Sequence, residues 1–167
     1  MKKTTVCILL LVLFLSLTGC HNDLNEPANF YYPRQTDNIQ FGVANGLVTV
    51  EQRELTGHTG DLQYILSLYL LGPLDTGLYS PFPEGTVLET ILLEEGVLTV
   101  SLSEDFSQLS GMELTIACAC LSSTCFDLAD AAQIVILSPK TELYPQVEVT
   151  MERNCLTLLD TLPLATE

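Results

Sequence analysis

Positive charge is scarce in this sequence. The chain has six lysine and arginine residues against 21 aspartate and glutamate residues, which gives a formal net charge of −15. A surface of this sign repels the phosphate backbone of DNA and RNA, so nucleic acid is excluded as a partner. Hydrophobic residues nevertheless make up 47% of the 167 residues. The chain therefore has the length and the apolar content of one folded domain and not of a disordered one.

Histidine and tryptophan are also scarce. There is no tryptophan, and the two histidines are His21 and His58. The sequence contains no G-x-S-x-G, G-x-G-x-x-G or P-loop string, so a nucleophilic triad would depend on His58 alone, in a Thr-Gly-His-Thr-Gly loop. The acidic residues lack the D-x-D-x-D-G spacing of a calcium loop. We therefore expect no catalytic residues, no cofactor and no metal site.

The first twenty residues have the pattern of a bacterial lipoprotein leader. Two lysines precede an apolar run at residues 6–15, which is too short to span a bilayer and suits a signal peptide. Leu-Thr-Gly-Cys at residues 17–20 resembles a lipobox, whose cysteine carries diacylglycerol. We predict cleavage after Gly19, lipidation of Cys20 and attachment to the extracytoplasmic face of the cell membrane. The alternative is an ordinary secretory signal with a chance cysteine.

The domain boundaries follow from this leader. Residues 1–19 are predicted to be the signal peptide, and residues 20–29 the lipidated cysteine with a polar tether. Residues 30–160 are predicted to form the folded domain, and residues 161–167 a tail. Removal of the leader would leave four cations against the same 21 acidic residues.

Hydrophobic periodicity predicts the order ββ-α-ββ-α-β with a terminal hairpin. Alternating or continuous apolar runs predict strands at residues 30–32, 47–55, 87–94, 97–102, 132–137 and 146–152, with a last strand at 155–159. Apolar residues at helical spacing predict helices at residues 61–71 and 112–126.

Three signals fix where these elements end. Thr59 or Asp61 is a candidate cap for the first helix, which Gly72 and Pro73 terminate. Gly96 can supply the positive φ of a tight hairpin turn.

We expect an α/β fold of the two-layer α+β type, in which two helices pack on one face of a small mixed β-sheet, with a C-terminal hairpin.

Four cysteines lie beyond Cys20, namely Cys118, Cys120, Cys125 and Cys155. On a helix, Cys118 and Cys125 share the apolar face but lie about 10 Å apart, too far for a disulfide, so we predict buried core thiols. Cys120 diverges from Cys118 by about 200°. A disulfide from Cys155 to one helical cysteine is the alternative, because the expected compartment is oxidising. The spacing disfavours a zinc site.

Four segments, in order, resemble the GerMN domain of spore-germination lipoproteins. Residues 70–73 resemble its L-x-G-P sequence, residues 82–86 its I-P-x-G-T loop, residues 96–106 its G-x-x-x-V-D-L-S-x-x-F segment and residues 123–136 its T-L-T … V-x-I-x-V ending. Ser101 replaces the common aspartate, and Cys125 interrupts the last segment. The resemblance covers roughly residues 30–140.

The resemblance implies a fold similar to the ring-building modules of the sporulation channel. It also implies scaffolding or assembly at the cell envelope, through envelope proteins or self-association, and no catalytic residue is carried over. We predict a contact surface at a sheet edge or in the loop of residues 74–86, with Leu78, Tyr79 and Phe82 as candidate contacts. The alternative is a module that binds cell-wall glycan or assists a wall hydrolase, for which Tyr79 is the best-placed aromatic residue.

Overall fold

The computed structural model describes residues 27–35 and 47–153, apart from residues 56 and 59. The elements are β1 (Ala28–Pro33), β2 (Val48–Arg53), α1 (Leu62–Leu70), β3 (Leu88–Glu94), β4 (Val97–Leu102), a 3-10 helix (Glu104–Gln108), α2 (Gly111–Leu128), β5 (Gln133–Ser138) and β6 (Val147–Glu152). Every helix and strand predicted within these residues is confirmed. The predicted leader, tether and last strand lie outside the described residues.

Local sequence sets the ends of the elements as predicted. The Asp61 carboxylate accepts a 3.0 Å hydrogen bond from the amide of Tyr64 and caps α1. Gly72, just beyond the helix, has a φ of 95°, in the left-handed region that glycine tolerates. Between β3 and β4, Glu95 and Gly96 have φ values of 50° and 80°, as a type I′ hairpin turn requires at both central positions.

Strands β3 to β6 form one mixed sheet in the order β3-β4-β5-β6. β4 and β5 are parallel, and the other two pairs are antiparallel. The register places Val100 beside Ile91 on one side and beside Ile136 on the other. Val100 and Ile136 are fully buried, as are Leu98 and Ile134 on the same face. This inner face forms one wall of the core.

The sequence predicted one β-sheet, whereas the structure has two. The α+β class is confirmed, but β1 and β2 pair with each other in a separate antiparallel sheet. α2 contacts β1 as well as β5 and β6, so it lies between the two sheets. The amide of Tyr31 in β1 donates a 3.1 Å hydrogen bond to the hydroxyl of Thr124 in α2. This edge of β1 is therefore satisfied by a helix side chain instead of another strand.

One continuous hydrophobic cluster joins both sheets and both helices. Its aromatic centre is Tyr69 of α1, whose ring centroid lies 5.4 Å from that of Phe30 and 4.9 Å from that of Tyr32. Burial of the Cys118 and Cys125 thiols is confirmed. Among the described helices, none combines the length and apolarity that crossing a membrane requires.

Cys120 is buried as completely as the other two helical cysteines. It shares a face of α2 with Thr124 and Asp127, at the spacing of one and two helical turns. Both of these residues bond to Tyr31 of β1, so the small sheet covers this face. The helical pattern alone could not predict this burial, because the covering strand lies about 90 residues earlier in the chain.

Candidate functional site

A cleft of about 250 Å³ opens between the loop that follows α1 and the first turns of α2. Its walls are mostly apolar, and Glu113 is the single charged residue among those that line it. The lining residues are Tyr79, Ser80, Pro81, Phe82, Pro83, Leu109, Glu113 and Ile116. The cleft therefore offers an apolar surface with one carboxylate at its side, which suits contact with a partner side chain.

The structure separates the three predicted contact residues. Tyr79 is 37% exposed, whereas Leu78 and Phe82 are 8% and 7% exposed and belong to the core. The Phe82 ring packs edge-on against Tyr69, with centroids 5.4 Å apart, and lies 6.3 Å from Phe106. Leu78 and Phe82 thus anchor the loop, and Tyr79 alone among the three presents its side chain at the surface.

An ion pair between Glu51 and Arg53 fixes the first half of this loop. The other oxygen of the Glu51 carboxylate accepts hydrogen bonds from the amides of Leu74 (2.9 Å) and Asp75 (2.8 Å). Arg53 donates a 2.7 Å hydrogen bond to the carbonyl of Gly72. Both charged side chains are about nine-tenths buried, while the bonds from the two loop amides to Glu51 lie at the solvent-exposed surface.

The loop also pairs with the segment after β1. The amide of Tyr79 donates to the carbonyl of Pro33 (3.1 Å), and the amide of Gln35 donates to the carbonyl of Gly77 (2.9 Å). The Asp75 carboxylate accepts a 2.8 Å hydrogen bond from the amide of Gly77, which closes a turn within the loop. The backbone that carries Tyr79 is therefore held from two sides.

The segments that resemble the GerMN domain meet at the end of this loop. In residues 82–86, the amide of Thr86 bonds to the carbonyl of Pro83 (3.2 Å). Gly85 has a φ of 91°, and a Cβ there would lie 3.3 Å from the Asp105 carboxylate. The Ser103 hydroxyl accepts a 3.1 Å hydrogen bond from the amide of Val87. These glycine and serine positions shape the backbone beneath the cleft.

The Tyr79 hydroxyl, at the cleft, and the Cys120 thiol, near it, are held in their uncharged forms. Burial raises the pKa of Tyr79, and the neighbouring Cys120 and Glu113 raise it further. Burial also raises the pKa of the Cys120 thiol from 9.0 to about 12. At neutral pH both groups remain protonated, so Cys120 is not an activated nucleophile. The cleft has the chemistry of a binding surface.

The remaining sequence candidates lie apart from the cleft. His58 is exposed, and its ring stacks on Tyr64 with centroids 3.8 Å apart. No group of three histidine, cysteine or acidic residues within the described ranges is placed to hold a metal ion. Cys20 and Cys155 lie outside the described residues, so their lipidation and pairing stay predictions.

Sequence reasoning missed Glu51, Arg53 and Glu113 at this site. Glu51 and Arg53 are two residues apart on β2, which places them on one face of the strand. That spacing could have indicated an ion pair. Their bonds to the loop at residues 72–75 could not be foreseen, because no local pattern joins β2 to that loop.

Comparison with known proteins identifies the family. A family model described as Germane, sporulation and spore germination, matches residues 29–138. No curated protein matches the chain in sequence. The tandem GerMN domains of the sporulation protein GerM from Bacillus subtilis superpose with a TM-score of 0.53 at 15% identity, covering 78% of this chain and 47% of that one. The chain thus spans about half the length of the tandem protein.

The first GerMN domain of the same Bacillus subtilis protein, taken alone, gives a TM-score of 0.52 at 14% identity. The match covers 77% of this chain and 98% of that domain. These identities establish a shared fold, and the family rests on the sequence match, which covers well over half of the 167 residues. The resemblance seen in the sequence is confirmed, and the chain belongs to the Germane family of GerMN-domain proteins of sporulation and spore germination.

Proposed function

We propose that this protein is a lipid-anchored, extracytoplasmic GerMN-domain protein that acts as an assembly or scaffold module of the cell envelope in sporulation or germination. The observation that carries the proposal is the family match over residues 29–138, directly behind a Leu-Thr-Gly-Cys sequence that ends at Cys20. The family supplies the association with sporulation and germination. The leader pattern supplies the anchor and the compartment.

The cleft supports contact with a partner over chemical turnover. The loop that forms one wall of the cleft is held at residues 72–75 by the Glu51–Arg53 ion pair and farther along by the burial of Leu78 and Phe82. A preorganised apolar surface of this kind loses little conformational entropy when a partner side chain enters it. The Glu51 and Arg53 charges are engaged with loop backbone, so they serve the shape of the cleft.

The short tether restricts where contact can occur. Eight residue steps separate Cys20 from Ala28, where β1 begins, and a fully extended chain of that length spans at most about 29 Å. An anchored domain would therefore stay close to the membrane surface. Confinement to that layer raises the effective concentration of any partner held there, so a weak contact can suffice.

The anchor is tested by replacing Cys20 with alanine. Cells that express Cys20→Ala should accumulate an unprocessed precursor that takes up no labelled palmitate. The matched control is Cys7→Ala, because Cys7 lies in the leader but outside the lipobox. The control should be processed and labelled like the parent. Normal processing and labelling of Cys20→Ala would refute the anchor.

The contact role is tested by a photo-crosslinking amino acid at position 79. In sporulating cells, we expect adducts with envelope proteins from position 79 and none from position 144. Tyr144 is a suitable control because it is 38% exposed, close to the 37% of Tyr79, but does not line the cleft. Failure to recover a protein adduct from position 79, together with hydrolysis of cell wall by the purified protein, would refute the scaffold role.

Glycan binding is the second candidate, and the exposed aromatic ring of Tyr79 in an apolar cleft favours it. Aromatic rings stack on the apolar faces of sugars as they do on other flat apolar groups. If this candidate is right, purified cell wall should retain the parent protein and release Tyr79→Ala. Equal retention of both would exclude the cleft as a glycan site.

A further inference from the structure

The four-stranded sheet has a second face, opposite the core, which we call the outer face. Strand register assigns twelve residues to it, three from each strand. They are Thr90, Leu92 and Glu94 of β3, Val97, Thr99 and Ser101 of β4, Gln133, Val135 and Leu137 of β5, and Glu148, Thr150 and Glu152 of β6. None of the twelve is buried by the described residues, whereas their neighbours on β4 and β5 are buried on the inner face.

The outer face has an apolar centre and an acidic border. Of the six outer-face residues on the two central strands, Val97, Val135 and Leu137 are apolar and the other three (Thr99, Ser101 and Gln133) are uncharged. Leu92 on β3 is apolar and 53% exposed. The edge strands carry the charges, with Glu94 on β3 and two glutamates, at 148 and 152, on β6. None of the twelve residues is lysine or arginine. An apolar centre inside a border of one charge is a typical arrangement for a protein interface.

The charge of the chain itself argues against a second copy as the occupant. Neither α1 nor α2 contains a lysine or arginine, so a helix from another copy would bring no positive charge to the acidic border. Residues 36–46 and 154–167 contain none either. The net charge of −15 makes close approach of two copies unfavourable unless salt screens it.

The dimensions of the outer face indicate the kind of element that covers it. The four strands are spaced about 4.8 Å apart, and the three outer-face residues of each strand span five positions at about 3.3 Å per residue, so the patch is about 15 Å across in each direction. An α-helix of about 10 residues is about 15 Å long and about 10 Å wide. One helix therefore matches the apolar centre, and its flanking residues reach the edge strands.

From these observations we infer that the outer face binds a basic amphipathic helix of another envelope protein. The apolar stripe of that helix packs on Val97, Val135 and Leu137. Its lysine or arginine residues pair with Glu94, Glu148 and Glu152 at the border. The inference rests on the proposed role as an assembly module and adds the chemistry of the partner, on a surface distinct from the cleft at Tyr79.

The test uses a synthetic amphipathic helix of about 14 leucine and lysine residues that carries one tryptophan on its apolar face. Because the protein has no tryptophan, all tryptophan emission reports the peptide. The protein is residues 21–167, which keep every described residue, and its fold is checked by circular dichroism. A matched peptide with glutamate in place of lysine should not bind.

The decisive variant is Glu94→Gln/Glu148→Gln/Glu152→Gln. We expect it to weaken binding of the lysine peptide by at least about tenfold, equivalent to about 1.4 kcal/mol. The control, Glu54→Gln/Glu104→Gln/Glu142→Gln, removes the same charge from positions outside the outer face, and we expect less than a threefold effect. Val135→Asn, which places an amide in the apolar centre, should also weaken binding.

Three outcomes would overturn the inference. They are no binding of the lysine peptide to the parent protein, equal weakening by the two triple variants, and a self-associating parent whose dimer is abolished by the outer-face variant. The first two would show that the acidic border is not a specific site, and the third that a second copy covers it. Crosslinking from position 79 in cells is independent of these glutamates, so the proposed function can stand if this inference fails.

Discussion

Arg53 and Arg153 each donate hydrogen bonds to the carbonyl groups at the C-terminal end of a helix. Arg53 lies at the end of β2 and reaches the carbonyl of Gly72 after α1 at 2.7 Å. Arg153, just after β6, reaches the carbonyl of Phe126 in α2 at 2.8 Å. Neither helix has a basic residue in its own last turn, so a distant arginine neutralises the negative end of each helix dipole.

Arg53→Met should destabilise the protein by about 3 kcal/mol, because the change leaves the buried Glu51 carboxylate without its partner. The Gly72 carbonyl and the Phe30 ring, 4.9 Å from the guanidinium, lose their contacts as well. Urea unfolding followed by circular dichroism measures the loss. Lys140→Met, at an exposed position, should change the free energy of unfolding by less than about 0.5 kcal/mol.

A double variant separates the ion pair from the packing. Glu51→Gln/Arg53→Met should cost less than the sum of its two single changes, since no charge is left buried alone. Additive costs would mean that Glu51 and Arg53 act independently.

Thr124→Val should lower the free energy of unfolding by about 1–3 kcal/mol. The change keeps the shape of the side chain but removes the oxygen that accepts the Tyr31 amide. Thr115→Val is the matched control, because the Thr115 hydroxyl is exposed and bonds to Gly111 in its own helix. The control should cost less than about 0.5 kcal/mol. Equal effects of the two changes would show that the Thr124 bond does not hold β1 to α2.

Glu95→Asn should stabilise the protein by about 0.5 kcal/mol. Glu95 has a φ of 50° in the turn between β3 and β4, where asparagine followed by glycine is strongly preferred. Glu95→Gln removes the same charge without this backbone preference and serves as the control. If the two variants melt at the same temperature, the gain comes from the charge and not from the turn.

Alkaline pH should destabilise the fold steeply between pH 9 and pH 12. Burial raises the pKa values of Cys118, Cys120 and Cys125 from 9.0 to about 12. Below pH 9 these thiols are protonated in both states. Above it the unfolded chain loses protons that the folded chain retains, so ionisation favours unfolding by about 1.4 kcal/mol per pH unit for each thiol.

The measurement is urea unfolding under reducing conditions across this pH range. Cys120→Ala should reduce the slope of unfolding free energy against pH by about one third of the contribution from the three thiols. Burial raises the pKa values of Tyr32 and Tyr69 as well, but both tyrosines are the same in parent and variant, so the difference between the two slopes isolates the thiol. An unchanged slope would mean that Cys120 ionises in the folded protein.

Local pattern was sufficient to predict the elements but not their arrangement. The alternation in β4 and β6, the Asp61 cap and the Gly96 turn depend on neighbouring residues, and all were visible in the sequence. The separate β1–β2 sheet pairs residues 15 to 25 positions apart, from Pro33 with Val48 to Ala28 with Arg53. The bond between Tyr31 and Thr124 joins residues 93 positions apart. Helical spacing therefore placed two of the three cysteines in the core but gave no reason to bury Cys120.

Sequence alone also could not predict which apolar residues of the loop at residues 74–86 are exposed. Leu78 and Phe82 are apolar residues in a long loop, and composition cannot distinguish an exposed patch from side chains that fold back on the core. Phe82 is buried because its ring packs against the rings of Tyr69 and Phe106. Among the described residues, no aromatic ring packs against Tyr79 in this way, and its side chain stays at the surface.

The position of α2 between two sheets makes its cysteines reporters of partial unfolding. Cys120 lies on the face of α2 that the small β1–β2 sheet covers, and Cys118 lies about 200° around the helix from it. We expect a thiol reagent to reach Cys120 when the small sheet separates from the helix, and to reach Cys118 when the other side of the helix is uncovered. Comparing modification rates at these two positions would give the opening frequency of each side of α2, with no added probe and no change to the sequence.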